Sequence, residues 1–195
     1  MIYDITQPLF ECEVYPGDRA PEKITVCGME KGYRLTNIEL CVHNGTHVDA
    51  PSHFIGDGRS IDELSLDRFI GPAYVAAHSG NVSGQDAERI LARARLAGAG
   101  QKILIKGKAT VTADAAKVFA AAGIHLIGNE SQSVGPEDRP MEVHLILLGS
   151  GVVLLEGIRL AQVPEGAYFL NCAPLNLTGT EGAPCRAVLI TDLLP

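Results

Sequence analysis

The sequence predicts an α/β fold in which helices cover a sheet, and three observations carry that reading. Two helix-forming segments, opened by Ser83 and by Thr112, are each flanked by short β-rich runs, which is β-α-β spacing. A third segment passes from a short helical stretch through Gly149-Ser150-Gly151 into the aliphatic run Val152-Val153-Leu154-Leu155, the pattern of a helix, a glycine stop and a buried strand. The chain has 195 residues, 46% hydrophobic and 20% charged, with no Pro/Ser/Gly-rich linker and no internal repeat. Residues 1–195 therefore read as a single domain with a sizeable core.

Taken in order, residues 2–6 form an apolar-alternating strand that stops before Pro8. Val14-Tyr15-Pro16-Gly17-Asp18 is a turn by its proline and glycine, and Tyr15 either lines a pocket or covers core at the loop base. Residues 34–42 alternate polar and apolar, predicting a strand that leads directly into a histidine-rich run. Residues 55–59 read as a loop, residues 73–77 as a core strand, and His78 beside Ser79-Gly80 as an ordinary loop histidine. Ser83-x-x-Asp86 opens a helix that continues to Leu96 and is stopped by Gly98 and Gly100. A strand over 102–106, a helix from Thr112 through Ala121 ended by Gly123, and a strand over 124–127 come next. After the segment 142–157 come strands at 167–172 and 187–191, with 174–177 and 182–184 as loops.

The chemistry concentrates in His43-Asn44-Gly45-Thr46-His47-Val48-Asp49-Ala50-Pro51-Ser52-His53-Phe54, which holds three of the six histidines. Neutral imidazole and ionised carboxylate are donors that zinc, manganese and iron accept, and the run contains no thiol. His43, His47 and Asp49 share strand parity, but four residues of strand cover roughly 13 Å, too far for one ion. A turn between the two histidines is required, and Gly45 supplies it. His144 and Glu156 stand among aliphatics, where a charge is costly unless paired or bound to a metal. They are candidate ligands, the alternatives being a hydrogen-bonded core histidine and a helix cap or salt bridge.

Five such ligands suit two divalent metal ions sharing Asp49 as a bridge better than they suit one. A metal pair of this kind makes hydroxide available near neutral pH and polarises a carbonyl, which indicates hydrolysis without a serine or cysteine nucleophile. His53, beside the ligands, has the ordinary pKa of a proton shuttle between water and a leaving nitrogen. The same ions would also serve a lyase or dehydratase. A non-catalytic metal-binding protein would more often close its site with four ligands, commonly cysteine.

Composition excludes other classes. A formal net charge of −7 with no Lys/Arg cluster argues against nucleic acid and anionic membrane surfaces. No apolar stretch reaches the length of a membrane span, and Met1-Ile2-Tyr3-Asp4 does not resemble a secretory signal. Five scattered cysteines without a C-x-x-C pair suit reduced thiols and a cytoplasmic protein.

His43-x-x-x-His47-x-Asp49-Ala50-Pro51-x-His53-Phe54 resembles the signature of the cyclase-like metal-dependent hydrolases, a family that includes bacterial arylformamidases and isatin hydrolases. The resemblance extends to Tyr15-Pro16-Gly17-Asp18, to His144 with Glu156, to Val163-Pro164-Glu165-Gly166 and to Pro184-Cys185-Arg186-Ala187. It implies a swivelling β/β/α domain, commonly a homodimer or homotetramer, with zinc or manganese bound, acting on a small-molecule amide. It implies further that His43, His47 and Asp49 hold one metal, that Asp49, His144 and Glu156 hold the other, and that His53 is the general acid/base. One departure bears on the substrate: Tyr15 stands where such arylformamidases usually carry a tryptophan that stacks on the substrate ring, and the chain has no tryptophan. Tyrosine stacks with a smaller face, so a cyclic amide of the isatin type is the alternative substrate. Asn129-Glu130-Ser131-x-Ser133 is expected on the pocket rim.

Overall fold

The computed structural model describes residues 1–191. In chain order the strands and helices are β1 (Ile2–Asp4), β2 (Glu22–Cys27), β3 (Leu35–Glu39), β4 (His47–Asp49), β5 (Ile70–Ala77), β6 (Gly80–Val82), α1 (Gly84–Leu96), β7 (Lys102–Lys106) and β8 (Ala109–Val111). They continue with α2 (Ala113–Ala121), β9 (Leu126–Asn129), α3 (Met141–Gly149), β10 (Val153–Glu156), β11 (Gly166–Asn171), β12 (Gly182–Pro184) and β13 (Val188–Ile190).

A mixed nine-stranded sheet runs β1-β13-β11-β5-β7-β9-β10-β4-β12. Its centre is parallel, β5 to β7 to β9 to β10, because each connection there carries a helix that must cross back over the sheet. The flanks are antiparallel: β11, β13 and β1 on one side, β4 and β12 on the other. The two helix starts were legible because their caps form as read. Ser83 Oγ accepts from the Asp86 N–H while the Asp86 carboxylate accepts from the Ser83 N–H, and Thr112 Oγ1 accepts from the Ala115 N–H.

Alternation along the parallel strands divides the core into two layers. Ile103, Ile105, Ile127 and Leu154 face the three helices, packing with Ile90, Leu91, Phe119 and Leu147. Leu104, Leu126, Val153 and Leu155 face the opposite side, where Ile5, Val48, Phe69, Leu170 and Leu189 close over them as the sheet curls. All of these are essentially inaccessible to solvent.

Two expectations are corrected. The strand over 34–42 does not run into the histidine segment: β3 stops at Glu39 and pairs only with β2, in a separate hairpin with a bulge between Thr25 and Cys27. Its alternating apolar residues, Ile38 and Leu35, remain exposed together with Ile24 and Val26 from β2, so the period-2 signal marks a real strand that lies outside the main sheet. Residues 182–184 form an edge strand rather than a loop. Pro184 can sit there because an edge residue need not donate to a further neighbour. Among the described residues no helix is long and apolar enough to cross a membrane.

Candidate metal centre

In open α/β sheets, sites form outside the carboxyl ends of the parallel strands, and that is where the clustered donors lie. Glu156 is the last residue of β10, and its antiparallel neighbour β4 places His47 directly opposite it. His47 and Asp49 project to one face of β4 while Val48 between them packs into the core. The turn before β4 is held by Asn44, whose Oδ1 accepts from Cys41 N and whose Nδ2 donates to Arg19 O. Gly45 adopts φ 66°, the left-handed conformation the turn needs. Thr46 Oγ1 then donates to Gly157 O at 2.7 Å, tying the turn to the end of β10. After Asp49, Pro51 opens a short 3-10 turn that brings His53 back towards the other histidines. His144 arrives from the first turn of α3.

The second hydrogen bonds of two histidines fix what they present. His144 Nδ1 lies 2.9 Å from Pro140 O and His47 Nδ1 lies 3.0 Å from Gly45 O. A carbonyl can only accept, so both Nδ1 atoms carry a proton, and in its neutral, metal-binding form each ring presents a lone pair at Nε2, where a second proton sits when the ring is charged. Those lone pairs face carboxylates: His47 Nε2 is 3.4 Å from Asp49 Oδ1 and 3.5 Å from Glu156 Oε2, and His144 Nε2 is 3.4 Å from Glu156 Oε1 and 3.8 Å from Asp49 Oδ2. Acceptor facing acceptor in a buried site is unfavourable unless a cation lies between them. The spacing is close to the ~3.3 Å separating donors on a tetrahedral ion with bonds of roughly 2.0–2.1 Å. Asp49 Oδ2 is buried and has no hydrogen-bond partner among the described residues. The donor set therefore fits a divalent metal.

The electrostatics agree. Burial works against charge on His47, but hydrogen bonds and charge from Asp49 and Glu156 reverse it and raise its pKa well above the ordinary value. His144 is raised in the same way, burial opposing and Glu156 prevailing, and so is His43, through Asp49. Burial would raise the carboxyl of Asp49, yet His43 and His47 hold it well below the carboxylate range. Glu156 is also lowered, with burial and the Asp49 charge opposing and the bonds to His144 and His47 prevailing. In every case the site favours positive charge beside two ionised carboxylates, which is the field that attracts a cation.

His43 Nδ1 lies 2.9 Å from Asp49 Oδ1, and its Nε2 is 3.4 Å from Glu181 Oε1. His53 stacks on His43 with ring centroids 4.2 Å apart and meets His144 edge-on at 6.1 Å. Burial pushes the His53 pKa down, so its imidazole stays neutral near pH 7. Donor atoms of His43, Asp49 and His53 converge, as do those of His47, Asp49 and Glu156. Asp49 is common to both groups, and His53 stands against the donors rather than behind them.

These side chains open onto a cavity of about 220 Å³. Tyr15 forms part of its wall and donates from its hydroxyl to Glu137 O at 2.6 Å, latching the 14–18 turn to the loop before α3. Phe54 packs against His53 and His144 on another side. Three larger clefts, of about 930, 580 and 470 Å³, lie elsewhere, and none carries three converging metal donors among the described residues. Tyr15, His43, His47, His53, His144 and Glu156 thus meet at one cavity, with Asp49 buried against their donor atoms. Asp18, Phe54, Gln132, Ser133 and Pro140 complete its lining. The run expected at the rim is only partly there: Ser133 lines this cavity, whereas Glu130 and Ser131 line the separate cleft of about 930 Å³, because the loop turns them away to bond Gly107, Leu160 and Glu137. Gln132 lies inside the polar run expected at the rim, but nothing in a single glutamine announced it.

Residues 3–136 match the family model for a putative cyclase. This chain belongs to that family. It is 35% identical to a kynurenine formamidase from Salinibacter ruber over 90% of each chain, and 32% identical to one from Bacillus cytotoxicus over 95% of each. Among solved structures it resembles one described as a potential metal-dependent hydrolase with cyclase activity, with a TM-score of 0.82, 28% identity, and coverage of 97% of this chain and 96% of that one. An isatin hydrolase A from Labrenzia aggregata superposes with a TM-score of 0.83 at 21% identity, over 98% of this chain and 94% of that one, which shows a shared fold. The swivelling β/β/α architecture expected from the motif is the one observed, and this cyclase-family chain is a hydrolase of a C–N bond in a small amide.

Proposed function

We propose that this chain hydrolyses an N-formyl arylamine of the formylkynurenine type with two divalent metal ions, zinc or manganese. In this reading His43, His47 and Asp49 hold one ion, and Asp49, His144 and Glu156 hold the other. The observation that carries it is the convergence of His47 Nε2 and His144 Nε2 on the Asp49 and Glu156 carboxylates, with Asp49 Oδ2 left without a partner. Bound divalent ions supply Lewis acidity and an ionised water at neutral pH.

The protein's own groups do the rest. His47 and His144 are locked as Nε2 donors by Gly45 O and Pro140 O, so no tautomer change is needed on loading. His53, neutral and in ring contact with His43, takes the proton of the attacking water and returns it to the leaving nitrogen. Tyr15 and Phe54 bound the aryl side of the cavity. The relatives named kynurenine formamidase support the substrate class. The smaller Tyr15 face keeps a cyclic amide as the second reading.

Residues 1–195 act as one domain, in the cytoplasm, where five free thiols persist. The exposed β2–β3 hairpin supports a homodimer or homotetramer, since an isolated two-stranded hairpin is marginal in water and its apolar residues are uncovered. Hydrolysis of N-formylkynurenine by protein stripped of metal and reloaded with zinc or manganese tests the reading, with isatin alongside. Metal-dependent release of formate is the expected result. Turnover of isatin alone moves the substrate to a lactam, failure on both overturns the assignment, and absence of labelled-water oxygen in the product would indicate a lyase.

A further inference from the structure

The loop from Asn129 to Val134, between β9 and α3, is pinned almost everywhere. Its backbone meets the end of β10 and the two residues after it: Val134 N donates to Glu156 Oε1 at 2.8 Å, Gly157 N to Ser131 O at 2.7 Å, and Ile158 N to Asn129 O at 3.2 Å. Asn129 Nδ2 donates to Ser133 O and Ala109 O, Ser131 Oγ donates to Glu137 Oε1, and Glu130 accepts from Gly107 N and Leu160 N. Gln132 is the contrast. It is 7% exposed and lines the metal-centre cavity, yet both its Oε1 and its Nε2 are buried without a partner. Ser133 Oγ and Asn129 Oδ1 share that lack among the described residues, but Asn129 leaves only an acceptor open and Ser133 a single hydroxyl, whereas Gln132 leaves a separate donor and acceptor, spaced as a carboxamide spaces them.

The fold makes room for this carboxamide. Gly157 follows Glu156, and a Cβ there would collide with Gly45 O, with Gln7 Nε2 and with Gln132 Nε2. The side chain is thus laid over the backbone beside a carboxylate of the donor cluster, in space only a glycine leaves. A buried amide with neither half satisfied is unfavourable and becomes favourable when a ligand supplies both partners.

We propose that Gln132 recognises the substrate's amide group, its Oε1 accepting from the scissile N–H and its Nε2 donating to a carbonyl oxygen of the same molecule. This rests on the amide-hydrolase reading and narrows it: substrates are secondary amides or lactams with a free N–H, and N-alkylated amides are rejected. The N–H must face the protein because the leaving nitrogen has to lie within reach of a proton.

The test compares Gln132→Met, similar in length and without hydrogen-bonding groups, with the unsubstituted protein, both loaded with zinc. Formanilide and N-methylformanilide form one substrate pair; isatin and N-methylisatin form the other. The unsubstituted protein should prefer the N–H member of the pair it accepts by roughly 10-fold or more in kcat/KM, the size of one buried hydrogen bond left unmade. In Gln132→Met that ratio should collapse towards one, chiefly through KM for the N–H member. Metal content should be unchanged, and the metal-free variant should melt no lower than the parent. A ratio equal in the two proteins overturns the proposal, as does a lower melting temperature with no change in ratio, which would make Gln132 structural. Turnover of the isatin pair alone would sink the arylformamide reading while leaving Gln132 tested. If neither pair turns over, the same ratio is read from calorimetric binding constants, and absence of binding to either pair overturns the proposal.

Discussion

The end of β10 and the β2–β3 hairpin are both built from short strands, and they resolve burial in opposite ways. At β10 a register of three paired residues buries His47, Asp49 and Glu156 almost completely, polar groups that water would otherwise hold. In the hairpin, Ile24, Val26, Leu35 and Ile38 stay roughly half exposed although they are apolar. Charge inside and hydrocarbon outside both run against the usual distribution, and each marks a place where the protein expects company. Inside, the donor set fits a cation; outside, the proposed oligomer would supply another protein surface, and only the first is organised by directional bonds.

The sharpest way to break the inner half is Asp49→Ala. Removing the carboxylate shared by both donor groups should abolish turnover and metal retention together, read by kcat/KM and elemental analysis. Next in size is His53→Ala, for which a fall of roughly 10²–10⁴ in kcat with metal content intact is expected from loss of a proton shuttle. Loss of metal in that variant would instead make His53 a ligand, an outcome its proximity to His43 and Asp49 leaves open to experiment.

Stability separates the two regions in a third way. Leu154, inaccessible on β10, should lose about 2–5 kcal/mol on truncation to alanine, whereas Ile38→Ser should change monomer stability by about 0.5 kcal/mol or less. Chemical denaturation checks both, and the hairpin variant should show its effect as a smaller assembly by light scattering. An unchanged mass would show that the hairpin is not the contact.

The smallest effect belongs to the cap of α1. Asp86 has a folded pKa of about 2, below its ordinary 3.8, chiefly through the Ser83 hydroxyl and then the Ser83 N–H. A depressed carboxyl contributes stability that is fully present above the unfolded pKa and is lost as pH falls through the folded one. The unfolding midpoint should therefore decline between about pH 4 and pH 2, and Asp86→Asn should flatten that part of the profile; an identical slope in the variant would show the cap contributes nothing.

Much of this was legible in the chain because it depends on local chemistry. Ser83 and Thr112 announce helices through their own caps, and Gly45 announces a turn through its own backbone freedom. His43, His47, Asp49 and His53 are legible as a group because they are neighbours in sequence. Their union with His144 and Glu156 was legible through polarity among aliphatics and through the family resemblance, not through local spacing, since the pairing that joins them is long-range. The place of β3 was not legible because alternation reports a two-faced strand without saying what the apolar face meets. The strand at 182–184 was hidden because Gly and Pro signal a turn, and an edge strand lacks the outer partner that would forbid them. Gln132 carried no signal of its own, as its meaning comes from bonds it does not make.

The hydrogen bond from Thr46 to Gly157 spans 111 residues of chain. Closing so long a loop is entropically expensive and places the donor cluster among the later contacts to form as the chain folds. During synthesis, the ligands of β4 leave the ribosome long before Glu156 exists to face them, so the complete set cannot template its own assembly around an ion. The full donor set exists only once β4 has paired with β10, so a cation that needs all of it is held by the folded protein alone.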